Sequence, residues 1–161
     1  MSFDIGDQVV YPHHGPSVIE RRESIAVQGE LRDYFVLQLA DAGLVIRVPV
    51  DKLGEIGVRE VVDREDAQDV LAVLTKKVRT PDNWSRRFKN HTEMLKSGDV
   101  YQTAEVVRNL SLRKRDAHLS AGEERMLAHA RRMLVSELHL SLEVSEDEAA
   151  RQVDHCLAQV D

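Results

Sequence analysis

The sequence predicts an α+β protein in which a small antiparallel β-module precedes an all-α bundle of about five helices. Three observations carry this reading. Up to about residue 53 the chain holds short β-branched or aromatic runs broken by turn signals at the roughly 8- to 12-residue spacing of a small antiparallel barrel or sandwich. Beyond that point the apolar residues recur at three and four, the period of an amphipathic helix. Charge divides as well: residues 1–63 hold 6 basic and 11 acidic residues, whereas 64–161 hold 16 and 17, so the cations concentrate in the second half.

In chain order, the predicted strands are Gln8–Tyr11, Ser17–Glu20, Arg32–Leu39 and Leu44–Val48. Between them stand Tyr11-Pro12-His13-His14-Gly15, Val27-Gln28-Gly29-Glu30 and Ala40-Asp41-Ala42-Gly43, whose glycines and proline suit turns. Helices are expected from Glu65 to about Leu74, from Trp84 to Leu95, through Val100, Ala104, Val107 and Leu110, through Leu127, Ala130, Leu134 and Leu138, and from Ser145 to about Gln159. Two starts have a mechanism. Ser120-Ala121-Gly122-Glu123 and Ser145-Glu146-Asp147-Glu148 have the capping-box pattern, in which side chains satisfy orphan backbone N–H groups. Lys96-Ser97-Gly98-Asp99 ends one helix and caps the next. The change of period places the division in residues 55–63, giving domains 1–58 and 59–161.

Apolar residues make up 42% of the 161 and charged residues 31%, the balance of a soluble globular chain. No apolar run approaches the roughly 18–20 residues needed to cross a bilayer, and Met1-Ser2-Phe3-Asp4 has no basic leader, so a cytoplasmic monomer is expected. Cys156 is the single cysteine and fits a reducing compartment; it falls in the apolar pattern of the last helix, where neighbouring His155 cannot face it. His13-His14 invites a metal reading, but no ligand set at suitable spacing accompanies it, and a turn role fits better. With no glycine-rich phosphate loop and no nucleophile–base set, neither enzyme activity nor a cofactor or metal is expected.

The chemistry concentrates around Trp84, the only tryptophan. It lies in Asn83-Trp84-Ser85-Arg86-Arg87-Phe88-Lys89, behind a loop carrying Lys76, Lys77 and Arg79. From Lys76 to Lys96 there are seven Lys/Arg against two acids, a basic island in a chain of net charge −6. Clustered cations are what phosphate contacts need. Two readings of the ring stand side by side: a core anchor, whose burial removes ~150–250 Å² from water, or an apolar wedge among cations that meets nucleic acid. The cations likewise read as phosphate contacts or as a solvated helix face.

Gly6-Asp7-x-Val9-Val10-Tyr11-Pro12-x-His14-Gly15, the strand Val45-Ile46-Arg47-Val48-Pro49, the Asn83–Phe88 block, Lys96-Ser97-Gly98-Asp99 and Leu119-Ser120-Ala121-Gly122-Glu123-x-Arg125-Met126-Leu127 together resemble the CarD/CdnL family of bacterial transcription regulators, in an actinobacterial version. The matches span nearly the whole chain in the family's order. The resemblance implies a Tudor/SH3-like β-domain that docks on the RNA polymerase β subunit and a helical domain that touches promoter DNA upstream of the melted bubble. The tryptophan matching Trp84 would wedge into the minor groove at the upstream bubble edge and slow its collapse, stabilising the open complex. Asn83, Arg86, Arg87 and Lys89 would accompany it on the DNA side, with Arg79, Lys76 and Lys77 as weaker loop contacts. Arg47 would contact polymerase from an exposed strand, with Leu44, Val45 and Ile46 as its interface neighbours; facing water is the alternative for Arg47.

Two residues depart from the family pattern. Ile25 stands where relatives can carry a polymerase-contacting arginine, which Arg21 or Arg22 could replace, and Glu124 stands where some carry a DNA-side lysine, which Arg125 could replace. Other function classes remain open: a polymerase-independent DNA-binding protein, or an adaptor whose helices only support the β-domain. Which promoters respond, and with which sign, is not written in the chain.

Overall fold

The structure, a computed structural model, describes residues 2–39 and 43–160. Two compact units divide it, Met1–Val61 and Val62–Asp161. The first is an antiparallel sheet and the second a bundle of helices, the α+β architecture expected. The turn read at Ala40-Asp41-Ala42 lies outside the described residues.

The sheet unit contains β1 (Gln8–Tyr11), β2 (Gly15–Val27), β3 (Glu30–Leu39), β4 (Val45–Pro49) and β5 (Arg59–Glu60), in the order β4-β3-β2-β1-β5. Among the described residues no ladder joins β4 to β5, so these two strands are the edges of the sheet. Alternation sorts the side chains: Ile19 pairs with Leu37, Leu37 with Ile46, and Phe35 with Val48, all on one face. There they form a core with Phe3, Val9, Leu53 and Val58. Leu53 opens a one-turn helix, α1 (Leu53–Ile56), closed by Gly57 at φ 93°, a left-handed cap that glycine adopts without a Cβ penalty.

Two features of the sheet differ from the expectation for physical reasons. β2 runs to Val27 rather than ending at Glu20, and its distal half pairs with β3 as a hairpin arm. Both faces of that arm are largely solvated, so Arg21–Ile25 shows no apolar alternation by which a strand could be recognised. Its turn is the expected one, with Gln28 at φ 51° and Gly29 at φ 82°, positive at both central positions as a two-residue hairpin of this hand requires. β5, only two residues long and not expected, pairs with β1 through Val9–Glu60 and Val10–Arg59, which draws residues 59–60 into the sheet unit. His13 and His14 lie in the turn between β1 and β2, with His13 at φ 70°.

The helical unit holds α2 (Arg64–Val73), α3 (Trp84–Lys96), α4 (Val100–Asp116), α5 (Ala121–Leu142) and α6 (Glu146–Ala158). Each begins at a side-chain cap: Asp63, Asn83, Asp99, Ser120 and Ser145 all accept from a backbone N–H of the first turn. Ser120 and Glu123 complete the reciprocal capping box, whereas Glu148 turns to Arg151 and Gln152 and leaves Ser145 a simple cap. The predicted apolar stripes of α4 and α5 are buried together, with Ala104, Val107, Leu110, Ala130, Leu134 and Leu138 fully enclosed. Cys156 is half-buried on α6, and burial raises its thiol pKa. No helix among the described residues is long and apolar enough to cross a membrane.

Candidate functional site

Trp84 opens α3 directly after its cap, so its ring projects from a helix end rather than from a packed helix face. It is 45% exposed, an unusual position for so large an apolar group. The ring is nonetheless held. One face stacks on Phe88, a turn further along α3, with centroids 4.9 Å apart and planes 18° apart. The indole Nε1–H donates to Ser120 Oγ at 3.0 Å, which ties the ring to the start of α5. Gly122 lets Phe88 approach: a Cβ there would stand 3.3 Å from Phe88 Cε2.

Asn83 serves as the α3 cap, its Oδ1 accepting from Arg86 N at 3.0 Å, so its amide oxygen is engaged with the helix. Arg86 and Lys89 on α3 are exposed, as are Lys76, Lys77 and Arg79 on the preceding loop. None of these five makes an ion pair with a described residue.

Arg87 differs from this expectation. It is 3% exposed and faces inward, where it donates through Nε and Nη2 to the Glu123 carboxylate at 2.8 and 3.3 Å. Its Nη1 reaches the carbonyls of Pro81 and Asp82, both at 3.1 Å. Four guanidinium donations are thus consumed inside the protein, and no phosphate can be reached. Position explains it: Arg87, His91 and Leu95 recur every four residues and form the buried stripe of α3. Arg87 fastens the entry of α3 to the cap of α5, a structural role that the surrounding cations conceal in the sequence.

The electrostatics around this pair follow from burial. Burial opposes ionisation of Glu123, but the bonds and charge of Arg87, helped by Ser120 and Arg113, outweigh it and hold the carboxyl below its ordinary range. Burial pushes the His91 imidazole down to about 4, with Glu123 resisting the shift and Arg87 adding to it. His91 therefore stays neutral at physiological pH, with its Nε2 3.2 Å from the Asn109 amide nitrogen.

A second surface lies in the sheet unit. β4 pairs with β3 on one side only, so its other side presents unpaired backbone groups among the described residues. Leu44 and Val45 are 50% and 47% exposed beside it. Ile46 instead turns toward the core, as alternation demands, and its side chain is less available to a partner than its neighbours. Arg47 projects outward and donates to Glu23 at 3.0 Å, and Arg21 donates to the same carboxylate at 2.8 Å. The two bonds hold Glu23 below the usual carboxylate range. Arg21, Glu23 and Ile25 share one face of β2, whereas Arg22 bonds Asp33 and lies over Phe35 on the opposite face. Of the two arginines considered beside Ile25, Arg21 is the one on its face of β2. Glu124 is paired with Lys114 at 3.0 Å, and Arg125 beside it is exposed.

Comparison with known proteins matches residues 3–62 to the CarD-like/TRCF RID domain and residues 69–154 to the CarD C-terminal domain. The chain belongs to the CarD-like family. The two matches fall on the sheet unit and the helical unit in turn, so the resemblance noted in the motifs extends to both. "Putative transcription factor YdeB" of Bacillus subtilis (strain 168) is 31% identical over 147 residues, covering 89% of this chain and 95% of the relative. The CarD-like family is one of transcription factors, not of enzymes.

Proposed function

We propose that this CarD-like protein docks on the RNA polymerase β subunit through the outer edge of β4 and stabilises the promoter open complex by placing Trp84 at the upstream edge of the bubble. The observation that carries the reading is the exposed indole, stacked on Phe88 at the start of a helix that also exposes Arg86 and Lys89. An apolar wedge in the minor groove unstacks a base step at a cost of a few kcal/mol, least where pairing is already broken, so it favours the melted state over the closed one. Arg86 and Lys89 would hold adjacent phosphates and set register without reading sequence. The RID match to the sheet unit supports polymerase as the partner, and an open β4 edge is the feature that strand addition to a partner sheet uses.

Decay of the open complex on one promoter, with and without the protein, tests the reading. Trp84→Ala is expected to leave polymerase binding intact and to shorten the lifetime by about tenfold, the factor that ~1.4 kcal/mol represents. An unchanged lifetime rejects the wedge. Tight duplex binding at physiological salt without polymerase would favour an independent DNA-binding protein instead.

A further inference from the structure

We infer that Ser120, the cap of α5, is a positioning residue for Trp84: its hydroxyl presets the indole in the orientation that the wedge requires. The inference rests on the wedge reading and adds to its machinery a residue that acts through the ring.

A serine hydroxyl has one donor and two acceptor sites. All three are occupied here. The oxygen accepts from Trp84 Nε1–H at 3.0 Å and from Glu123 N–H at 3.1 Å, and the O–H points to Glu123 Oε1 at 3.4 Å. Glu123 is itself fixed by Arg87, and both side chains are sealed from water at 1% and 3% exposure. The hydroxyl is therefore anchored from the interior and offers its remaining lone pair outward at a defined point. Stacking on Phe88 restrains the plane of the indole, but by itself leaves the ring free to slide or turn in that plane. The bond at Nε1 removes that freedom.

A side chain ordered before it binds loses less entropy on binding, and a wedge that enters a narrow groove gains most from such order. The bond adds little to folding stability, because Trp84 is half-exposed and its indole can turn its N–H to water when its partner is lost. The hydroxyl thus serves two tasks: capping α5, which many residues could do, and aiming the ring.

Trp84 is the only tryptophan, so its fluorescence reports the ring alone. The full-length protein is compared as wild type, Ser120→Gly, Ser120→Thr and Trp84→Ala. Glycine is chosen because it replaces a serine cap at little cost to the helix. Time-resolved anisotropy of Ser120→Gly is expected to gain a fast local component absent from the wild type, and its open-complex lifetime with RNA polymerase holoenzyme and a promoter fragment should fall about threefold, a scale set by immobilising one side chain. Ser120→Thr, which keeps a hydroxyl, should restore both. Unchanged anisotropy in Ser120→Gly overturns the positioning role. A loosened ring with a wild-type lifetime also overturns it, while Trp84→Ala still shortening the lifetime leaves the wedge standing. If Trp84→Ala leaves the lifetime unaltered, the wedge itself fails and this inference falls with it, whatever the anisotropy shows.

Discussion

At the outer edge of β4 a row of backbone amides and carbonyls is open, whereas at the starts of α3 and α5 one aromatic ring is fixed by two neighbours, Phe88 and Ser120. The edge would bind through main-chain groups that every residue supplies, so most of its side chains are replaceable. The helix tip would concentrate its contribution in a single side chain, whose orientation is set by Phe88 and Ser120. Arg87 shows the difference most clearly. It stands one residue from the exposed Arg86, yet its charge is spent inside the protein.

Breaking the support of the tip should have the largest effect. Arg87→Ala leaves Glu123 as an unpaired buried charge, and loss of one partner of such a pair costs about 3–5 kcal/mol. Chemical denaturation should show that loss; a change below about 0.5 kcal/mol, the range of ordinary surface substitutions, would return Arg87 to the surface set. The edge is tested next. Arg47→Glu sets a second carboxylate beside Glu23 and should weaken polymerase capture in pull-down tenfold or more, ~1.4 kcal/mol or above, with the fold intact. Full retention would remove Arg47 from the docking surface.

The smallest effect sharpens the contrast between adjacent arginines. Arg86→Ala and Lys89→Ala should each change stability by less than about 0.5 kcal/mol. In the polymerase–promoter complex each should reduce the salt dependence of binding by about one unit of slope, the signature of one lost phosphate contact. A salt slope identical to that of the wild type would make these cations a solvated helix face.

Much of this fold was legible because its signals are short in range. The helix starts at Asn83, Asp99, Ser120 and Ser145 are bonds to a backbone N–H two or three residues away, and the buried stripes of α4 and α5 follow directly from the helical period. β5 was not legible, since two residues carry no period and gain strand character only by lying beside β1. The distal half of β2 was hidden because both its faces meet water.

The site divides in the same way. Sequence by itself located Trp84, the basic island around it and the strand carrying Arg47, because composition and motif are local properties of the chain. Only the tertiary structure decided that Arg87 is buried while Arg86 is exposed, and that Ser120 holds the indole. Both decisions are hydrogen bonds between residues 36 positions apart. No local pattern specifies such a pair; they meet because the apolar faces of α3, α4 and α5 pack together and bring the first turns of α3 and α5 side by side.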